Sequence, residues 1–466
     1  MDLQLSISGK GDTTRQIYRQ LRERILDGRL TSGTRLPASR ELAAELAIAR
    51  KTVTNVYDLL ISEGFLDTRV GSGTFVATGI SESENLSKAP TSPLLVPELW
   101  DRVGESLKII RTEVPFDFNV GVPDVSRFPF AIWRSIVTSR SRLLARNARE
   151  YANPRGFAPL RAAITKYTGF TRAVKCDPSD VVITNGAQQA FDLIARVLVR
   201  PGTVVAMEDP GYDRARWLFE MHGAKIAKVE VDDEGLVVDR VPTDARIVYV
   251  TPSHQFPLGV SMSLSRRLAL LEWAAKNRAA IIEDDYDSEF RFAARPLDSL
   301  QSLDRHGVVL YVGTFSKVLF PAVRIGFVVA PDAIRRAIVA ARELTDWHGS
   351  ILMEATLARF IDDGHLARHI RKMRAIYASR RKVLLKSIED DLSDWVRVYP
   401  GVAGLHIGAS LERKIAATDL ADRALDAGVR IMSFSERGFA LGYGAIEHTD
   451  IDEGIGILGK VLSVKR

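Results

Sequence analysis

The 466-residue sequence predicts an α/β chain: a small, mostly helical unit at the front, then a large body built on a doubly wound, mostly parallel sheet. Three observations predict it. Residues 13–76 carry apolar residues at helical spacing with basic residues between them. Residues 77–114 turn rich in Ser, Glu and Pro, and from about Asp117 short apolar runs alternate with helical patterns. Apolar residues make up 46% of the chain, enough to bury sizeable cores and exclude global disorder. No run nears the ~18 apolar residues that a membrane span needs. The opening MDLQLSISGKGD lacks the apolar segment of a secretory signal. The single cysteine, Cys176, excludes a disulfide framework and any cysteine-rich zinc module. A cytoplasmic chain without membrane contact is expected.

In the front unit, Ile17, Leu21 and Ile25 recur every four residues, the stripe of an amphipathic helix ending near Gly28. After the turn around Gly33 and Pro37, Ser39 is placed to cap a second helix, SRELAAEL. A third, ARKTVTNVYDLLISEG, is stopped by Gly64. Val53, Val56, Tyr57 and Leu60 lie on one side of it; Arg50, Lys51, Thr54, Asn55 and Asp58 lie on the other. Cations and hydroxyls near a helix start suit phosphates and base edges. FLDTRVGSGTFV reads as two short strands around a glycine-rich turn. No helix follows Gly-Ser-Gly to supply an anion-binding N-terminus, so a hairpin wing fits better than a phosphate loop. These parts make a winged helix-turn-helix.

Charge agrees. The net charge of +6, from 64 Lys and Arg against 58 Asp and Glu, is thin, but between Arg15 and Thr52 nine basic residues stand against four acidic ones. The run from Ile17 to Val76, with RLPASRELAAELAIARKTVTNVYDLLISEGFL and GSGTFV, resembles the GntR-type DNA-binding domain. The resemblance implies a double-stranded DNA operator as partner, touched by Arg40, Arg50, Lys51, Thr52, Thr54 and the wing Gly73. Ala49 stands where many such domains place a capping Ser, a change worth ~1 kcal/mol. The expected division is 13–78 for this head, 79–114 for a linker and 115–466 for the body.

In the body, strands are expected at 180–184, 203–207, 246–250, 280–283, 308–312 and 324–329, with helices such as AQQAFDLIARVLV and SRRLALLEWAAKNR between them. Ligands of such sheets bind beyond the carboxyl ends of the strands. Those ends read ITNGAQQA, EDPGYDRAR, TPSHQFPLG, IIEDDYDSEF and YVGTFSKVLFPAVRIGF. Together they supply what a pyridoxal 5'-phosphate site requires. Lys317 offers the amine for a Schiff base. Asp284 offers a carboxylate to the pyridine nitrogen, and Tyr286 a donor to the ring hydroxyl. Tyr212 offers a stacking face; Ser316, Arg324 and the helix start at Gly186, Ala187 and Gln188 offer phosphate contacts.

This order resembles the class I aminotransferase fold over about residues 115–466, which implies a smaller C-terminal α+β lobe. The specific part is D-x-Y, then S-K with its Lys 31 residues after Tyr286, then R-I-G-F. Tyr151 in EYANPRG resembles the tyrosine that reaches the partner subunit's phosphate, implying a homodimer. Head, linker and body together resemble the MocR family of transcription regulators, whose style DFNVGVPDVSRFP, NGAQQA, EDPGY and EDDYDSEFR match. Two positions depart from the aminotransferase pattern. Phe256 replaces the usual Asn before the Pro-x-Gly turn. Ala440, in RGFALGYGAI, stands where amino-acid-binding relatives place a carboxylate-clamping Arg, with Arg437 three residues upstream.

Other constellations are set aside. His365 and His369 are four apart on a helix, but no Glu follows the first and no third ligand is evident, so they read as a surface pair and no metal is expected. Ser253-His254 has no acid beside it in sequence, and Cys176 before a Pro turn reads as inert. The leading reading is a transcription regulator whose body senses an amine-bearing small molecule, or the cofactor itself, through an aldimine at Lys317. Arg214 is the first choice for an acidic group on that effector and Arg437 the second. A genuine aminotransferase with a DNA-binding head is the competing reading, since Lys317 could also perform a proton shift. A vitamin B6 sensor without substrate chemistry is the third.

Overall fold

A computed structural model describes residues 3, 5–7, 12–69, 71–78, 98–106, 113–144, 151–292, 298–413 and 415–463. The chain divides into two compact units, Met1–Pro97 and Glu98–Arg466. Most of the expected linker lies outside the described residues. Its far end is helical, however, and belongs to the second unit: Glu98–Ser106 forms a helix with Val103 buried.

In the first unit, helices α1 (Thr13–Leu26), α2 (Ser39–Glu45) and α3 (Arg50–Ser62) pack around a small core. Ile17, Leu21 and Ile25 bury as their spacing requires, against Val53, Val56 and Leu60 of α3. Asp12 caps α1, accepting from the Thr14 and Arg15 N–H groups. The expected cap of α2 is corrected: Ser39 is the first helical residue and Ala38 precedes it as the cap. The Glu41 carboxylate reaches back to accept from the Ala38 N–H at 3.0 Å, which replaces a side-chain cap. Strands β1 (Leu66–Arg69) and β2 (Gly73–Val76) form the antiparallel wing, with Arg69 opposite Gly73.

After the helix Glu98–Ser106, the second unit has β3 (Phe116–Asp117) and then the large sheet: β4 (Val181–Thr184), β5 (Val204–Asp209), β6 (Lys225–Asp232), β7 (Gly235–Leu236), β8 (Ile247–Val250), β9 (Ala280–Asp285), β10 (Val309–Thr314) and β11 (Gly326–Val329). Their order is β4-β11-β10-β9-β8-β5-β6-β7. Strands β10, β9, β8, β5 and β6 pair in parallel; β11 runs against both of its neighbours, and β7 hairpins onto β6. Every expected strand is present, and β6 and β7 extend the sheet beyond them. Strands β4, β8 and β10 are buried along their whole length, which is why they read as continuous apolar runs.

The smaller C-terminal lobe holds β12 (Val396–Val398), β13 (His406–Leu411), β14 (Val429–Arg430), β15 (Met432–Ser433) and β16 (Gly438–Gly442). Four of them form a sheet in the order β12-β13-β16-β15, while β14 pairs with β3. The helices His365–Leu392 and Asp450–Ser463 cover this lobe with a shared apolar core. His369 is not on the surface, as its helical pairing with His365 suggested. It is buried, with its ring 5.3 Å from that of Phe128.

Candidate cofactor site and DNA-reading head

The parallel strands bring their carboxyl ends to one edge, and the predicted residues meet there. Asp284 is the last residue but one of β9, and Tyr286 follows the strand. Tyr212 lies three residues beyond β5, Lys317 three beyond β10, and Arg324 just ahead of β11. Gly186 caps the helix Ala187–Leu198, which presents the N–H groups of Ala187 and Gln188 at its free N-terminus.

Lys317 Nζ donates to the Gly121 carbonyl at 2.7 Å. The approach is close: a Cβ on Gly121, whose φ is +71°, would stand 2.9 Å from the amine. Burial lowers the Lys317 pKa, partly offset by the Asp287 and Asp284 carboxylates, while Arg214 and Arg324 add to the lowering. A lowered pKa and a buried setting favour the amine as a nucleophile.

Asp284 accepts from the Tyr249 hydroxyl at 2.5 Å through Oδ2, while Oδ1 is buried with no partner. Burial pushes its pKa up to about 7; the Tyr249 bond opposes this and the Asp285 and Asp287 charges add to it. A buried carboxyl with one free oxygen is suited to meet a ring N–H. Tyr249 was not foreseen, because a tyrosine inside an apolar strand reads as packing. The Tyr286 hydroxyl lies 3.0 Å from the His254 carbonyl, to which it donates, and 3.0 Å from its Nδ1. The Tyr212 ring meets Phe256 edge-on with centroids 5.6 Å apart. Burial, with help from Asp284, pushes the Tyr212 phenol up to about 12.

The anion-binding end is also assembled. Arg324 Nη2 donates to the Asn185 carbonyl at 2.7 Å. Its guanidinium crosses Gly186 so closely that a Cβ there would lie 3.0 Å from both terminal nitrogens. Gly186 has φ +81°, so glycine is required on both counts. The Ser316 hydroxyl is buried without a partner. Arg214 is exposed on the helix Asp213–Met221. Asp213 pairs instead with Arg216 at 2.9 Å, so among the described residues Arg214 has no carboxylate partner. Tyr151 is 73% exposed and its ring rests 4.0 Å from that of Trp347.

Arg437 is not brought to this site. The β13–β16 register pairs His406 with Gly442, which packs on the Asn119–Val120 backbone just ahead of the Gly121 carbonyl that Lys317 meets, and Ser410 with Gly438 at the other end. Arg437 lies beyond Gly438, roughly 15 Å along the strand from the Gly442 end, and it is exposed. Ala440 is fully buried opposite Gly408. His254, set aside for want of an acid, does have one: Asp287 Oδ1 lies 3.0 Å from Nδ1. Strands β8 and β9 run side by side, and the segments following them carry this pair together.

In the head, Arg40 stands exposed on α2, and Arg50 and Lys51 at the start of α3. Arg50 Nε donates to the Ser39 hydroxyl at 3.4 Å, tying α3 to α2. Thr52 and Thr54 are half-buried on α3, and Thr54 Oγ1 donates to the Arg50 carbonyl. Gly73, exposed in the wing, has φ +119° with Arg35 Nε 3.0 Å from where its Cβ would be.

Comparison with known proteins agrees with both halves. Residues 13–76 match the gntR family of bacterial regulatory proteins, and residues 115–440 match aminotransferase class I and II. The probable rhizopine catabolism regulatory protein MocR of Rhizobium meliloti is 36% identical over 95% of this chain and 92% of its own length. The pyridoxine biosynthesis transcriptional regulator PdxR of Corynebacterium glutamicum is 30% identical over 88% of this chain and 86% of its own. The kynurenine aminotransferase of Pyrococcus horikoshii, solved in complex with PMP, superposes with a TM-score of 0.71 at 28% identity, over 79% of this chain and 95% of its own. Among the described residues no helix is long and apolar enough to cross a membrane. The chain belongs to the MocR-type transcription regulators, in which a GntR-type helix-turn-helix head precedes an aminotransferase class I and II body.

Proposed function

We propose that this chain is a cytoplasmic, homodimeric regulator that holds pyridoxal 5'-phosphate at Lys317, binds a double-stranded DNA operator through its head, and answers to an amine-bearing small molecule. The observation that carries the cofactor reading is the pair of orphaned buried atoms around Lys317. Among the described residues, Asp284 Oδ1 lacks a donor and the Ser316 hydroxyl lacks a partner, beside an amine that is already in place. These fit a ring nitrogen and a phosphate. Gly186, Ala187, Gln188, Ser316 and Arg324 would hold the phosphate, Asp284 the ring nitrogen, Tyr212 the ring face, and Tyr286 the ring hydroxyl. Tyr151, exposed on its own unit, would serve the partner subunit's site.

Bound pyridoxal phosphate supplies an aldehyde that condenses with amines and an electron-withdrawing ring. The chain's own residues do the rest. Burial lowers the Lys317 pKa, which favours the reactive free amine over the ammonium. Arg214, free of a carboxylate partner, offers a cation to an acidic group on the effector. An effector in this pocket changes what Lys317 Nζ contacts, starting from its bond to Gly121. It regulates to the extent that it favours one arrangement of the chain over another.

A vitamin B6 sensor is the second reading. It is favoured by the buried Ala440 in place of a carboxylate clamp and by the likeness to PdxR. The deciding experiment is borohydride reduction of the protein loaded with pyridoxal phosphate, followed by peptide mapping. Label on Lys317 is expected, and label on another lysine would overturn the assignment. Loss of operator binding on adding an amine, rather than on adding pyridoxal phosphate alone, separates the two readings.

A further inference from the structure

The strand pair β13–β16 turns Ile407, Ala409, Phe439 and Leu441 into the core. Its other face carries His406, Gly408 and Ser410 opposite Gly442, Ala440 and Gly438. That face is covered by the segment after Phe256, for a Cβ on Gly408 would stand 2.7 Å from the carbonyl oxygens of both Pro257 and Leu258. Neither strand contains Lys or Arg, and the one ionisable side chain on this face is His406.

His406 does not stand alone. Its ring centroid is 4.7 Å from that of His254, and both are 2% exposed. One nitrogen of each ring and an oxygen of Asp287 lie within 4.8 Å of one another. Each ring has one committed nitrogen. His254 Nδ1 is held by Asp287 at 3.0 Å, and His406 Nε2 donates to the Pro257 carbonyl at 3.1 Å. Those bonds set the tautomers and leave His254 Nε2 and His406 Nδ1 as bare acceptors. Both are buried, and among the described residues neither has a partner. Burial, reinforced by the neighbouring His254, pushes the His406 pKa well below 6.5, so the ring does not meet the deficit by taking a second proton. Two adjacent buried lone pairs without a donor call for a group that donates.

We infer that His254 and His406, backed by Asp287, form an acceptor subsite for hydroxyl or second N–H donors on the effector amine. The inference rests on the reading that Lys317 meets that amine. The subsite borders that pocket: the Tyr286 hydroxyl lies 3.0 Å from His254 Nδ1, and the Phe256 ring meets both Tyr212 and His406, with centroids 5.6 Å away in each case. The ligand class is a polyhydroxylated or amino-substituted amine. An α-carboxylate placed here would stand beside the Asp287 carboxylate, with no Lys or Arg on either strand to pair it.

Three probes built on one skeleton test it: isopropylamine, 2-amino-1,3-propanediol and L-serine, each titrated calorimetrically into full-length protein loaded with pyridoxal phosphate. The diol should bind about tenfold more tightly than isopropylamine, the size of one hydrogen bond gained, and L-serine, whose carboxylate goes to Arg214, should depend less on the two histidines. His254→Asn keeps an N–H toward Asp287 and removes the Nε2 acceptor. His406→Gln keeps a donor to Pro257 and removes the Nδ1 acceptor. Each should shrink the diol preference to about twofold or less while the cofactor's visible band remains. No preference in the native protein, or a preference kept in both variants, overturns the subsite. So does one equivalent of metal in the purified protein that both variants lose. If borohydride fails to label Lys317 but the diol's binding heat still falls in the variants, the Lys317 reading fails and the subsite stands.

Discussion

In the head, the groups offered to a ligand stand in water: Arg40, Arg50 and Lys51 are exposed on α2 and α3. In the body, Asp284, His254 and His406 are buried, and burial pushes Asp284 up to about 7 and His406 well below 6.5. The contrast separates two ways of recognising a charged partner. Exposed cations act at long range, are screened by salt and tolerate imperfect geometry. Buried groups act at contact range, through lone pairs and protons whose cost of burial is already met by the fold. A chain combining both can seek DNA electrostatically and read a small molecule stereochemically.

The hardest test of this division is Lys317→Ala. Borohydride labelling and the cofactor's visible band should vanish, while operator binding without effector stays intact and becomes deaf to amines. A variant that also loses basal operator binding would mean the two functions share one structural element. Next, Arg50→Ala and Lys51→Ala should each weaken operator binding by roughly tenfold, and a lost phosphate contact should reduce the salt slope by about one. Gel-shift titrations at several salt concentrations read both, and the cofactor band should be unchanged. Within the body, Arg214→Met should weaken the spectral response to L-serine by about tenfold, the scale of one charge-assisted bond. Arg437→Met should leave it unchanged.

The difference between the units also governs what could be read from sequence. In the head the 3.6-residue period exposed Ile17, Leu21 and Ile25 at once, because local spacing and burial coincide in a helix. In the body, Lys317, Asp284 and Tyr286 were legible because the parallel sheet gathers strand ends, so residues distant in sequence share one address. Strand β6 was missed: its KIAKVEVD is half-exposed, with charges where a buried strand would have apolar residues. The His254, Asp287 and His406 cluster was invisible because His406 comes from a different sheet, and no local pattern marks it. Arg437 misled because proximity in sequence to Ala440 says nothing of which end of β16 approaches the site.

A subtler test uses pH. Asp284 is pushed up to about 7 by burial, whereas in the unfolded chain it titrates near 3.8. Between those values the folded state holds a proton that the unfolded state has released. Without cofactor, this group's contribution is therefore full below about 4 and is lost as pH rises toward about 7. Asp284→Asn cannot titrate, so its urea midpoint should gain on the native protein's between pH 5 and pH 8. Pyridoxal phosphate should reverse that gain, because a protonated ring nitrogen pairs with the carboxylate and has little use for the amide. Parallel curves in both conditions would show that Asp284 does not face the ring.

The smallest expected effect lies in the head, where a cap is missing rather than a charge. Ala49 precedes α3 with φ −66° and ψ 133°, the extended backbone of an N-cap, yet no side chain accepts from the first turn. Ala49→Ser fits that backbone without strain and supplies an acceptor for the N–H of Lys51 or Thr52. The gain should be about 1 kcal/mol, or roughly 4–8 °C in the unfolding of a unit this small. Calorimetry of the full chain should show the head's transition rise while the body's stays fixed. Operator affinity should change little, because the hydroxyl sits beside Arg50 and Lys51 without adding charge. A rise in both transitions would mean the two units unfold as one, and the contrast between them would then be chemical without being energetic.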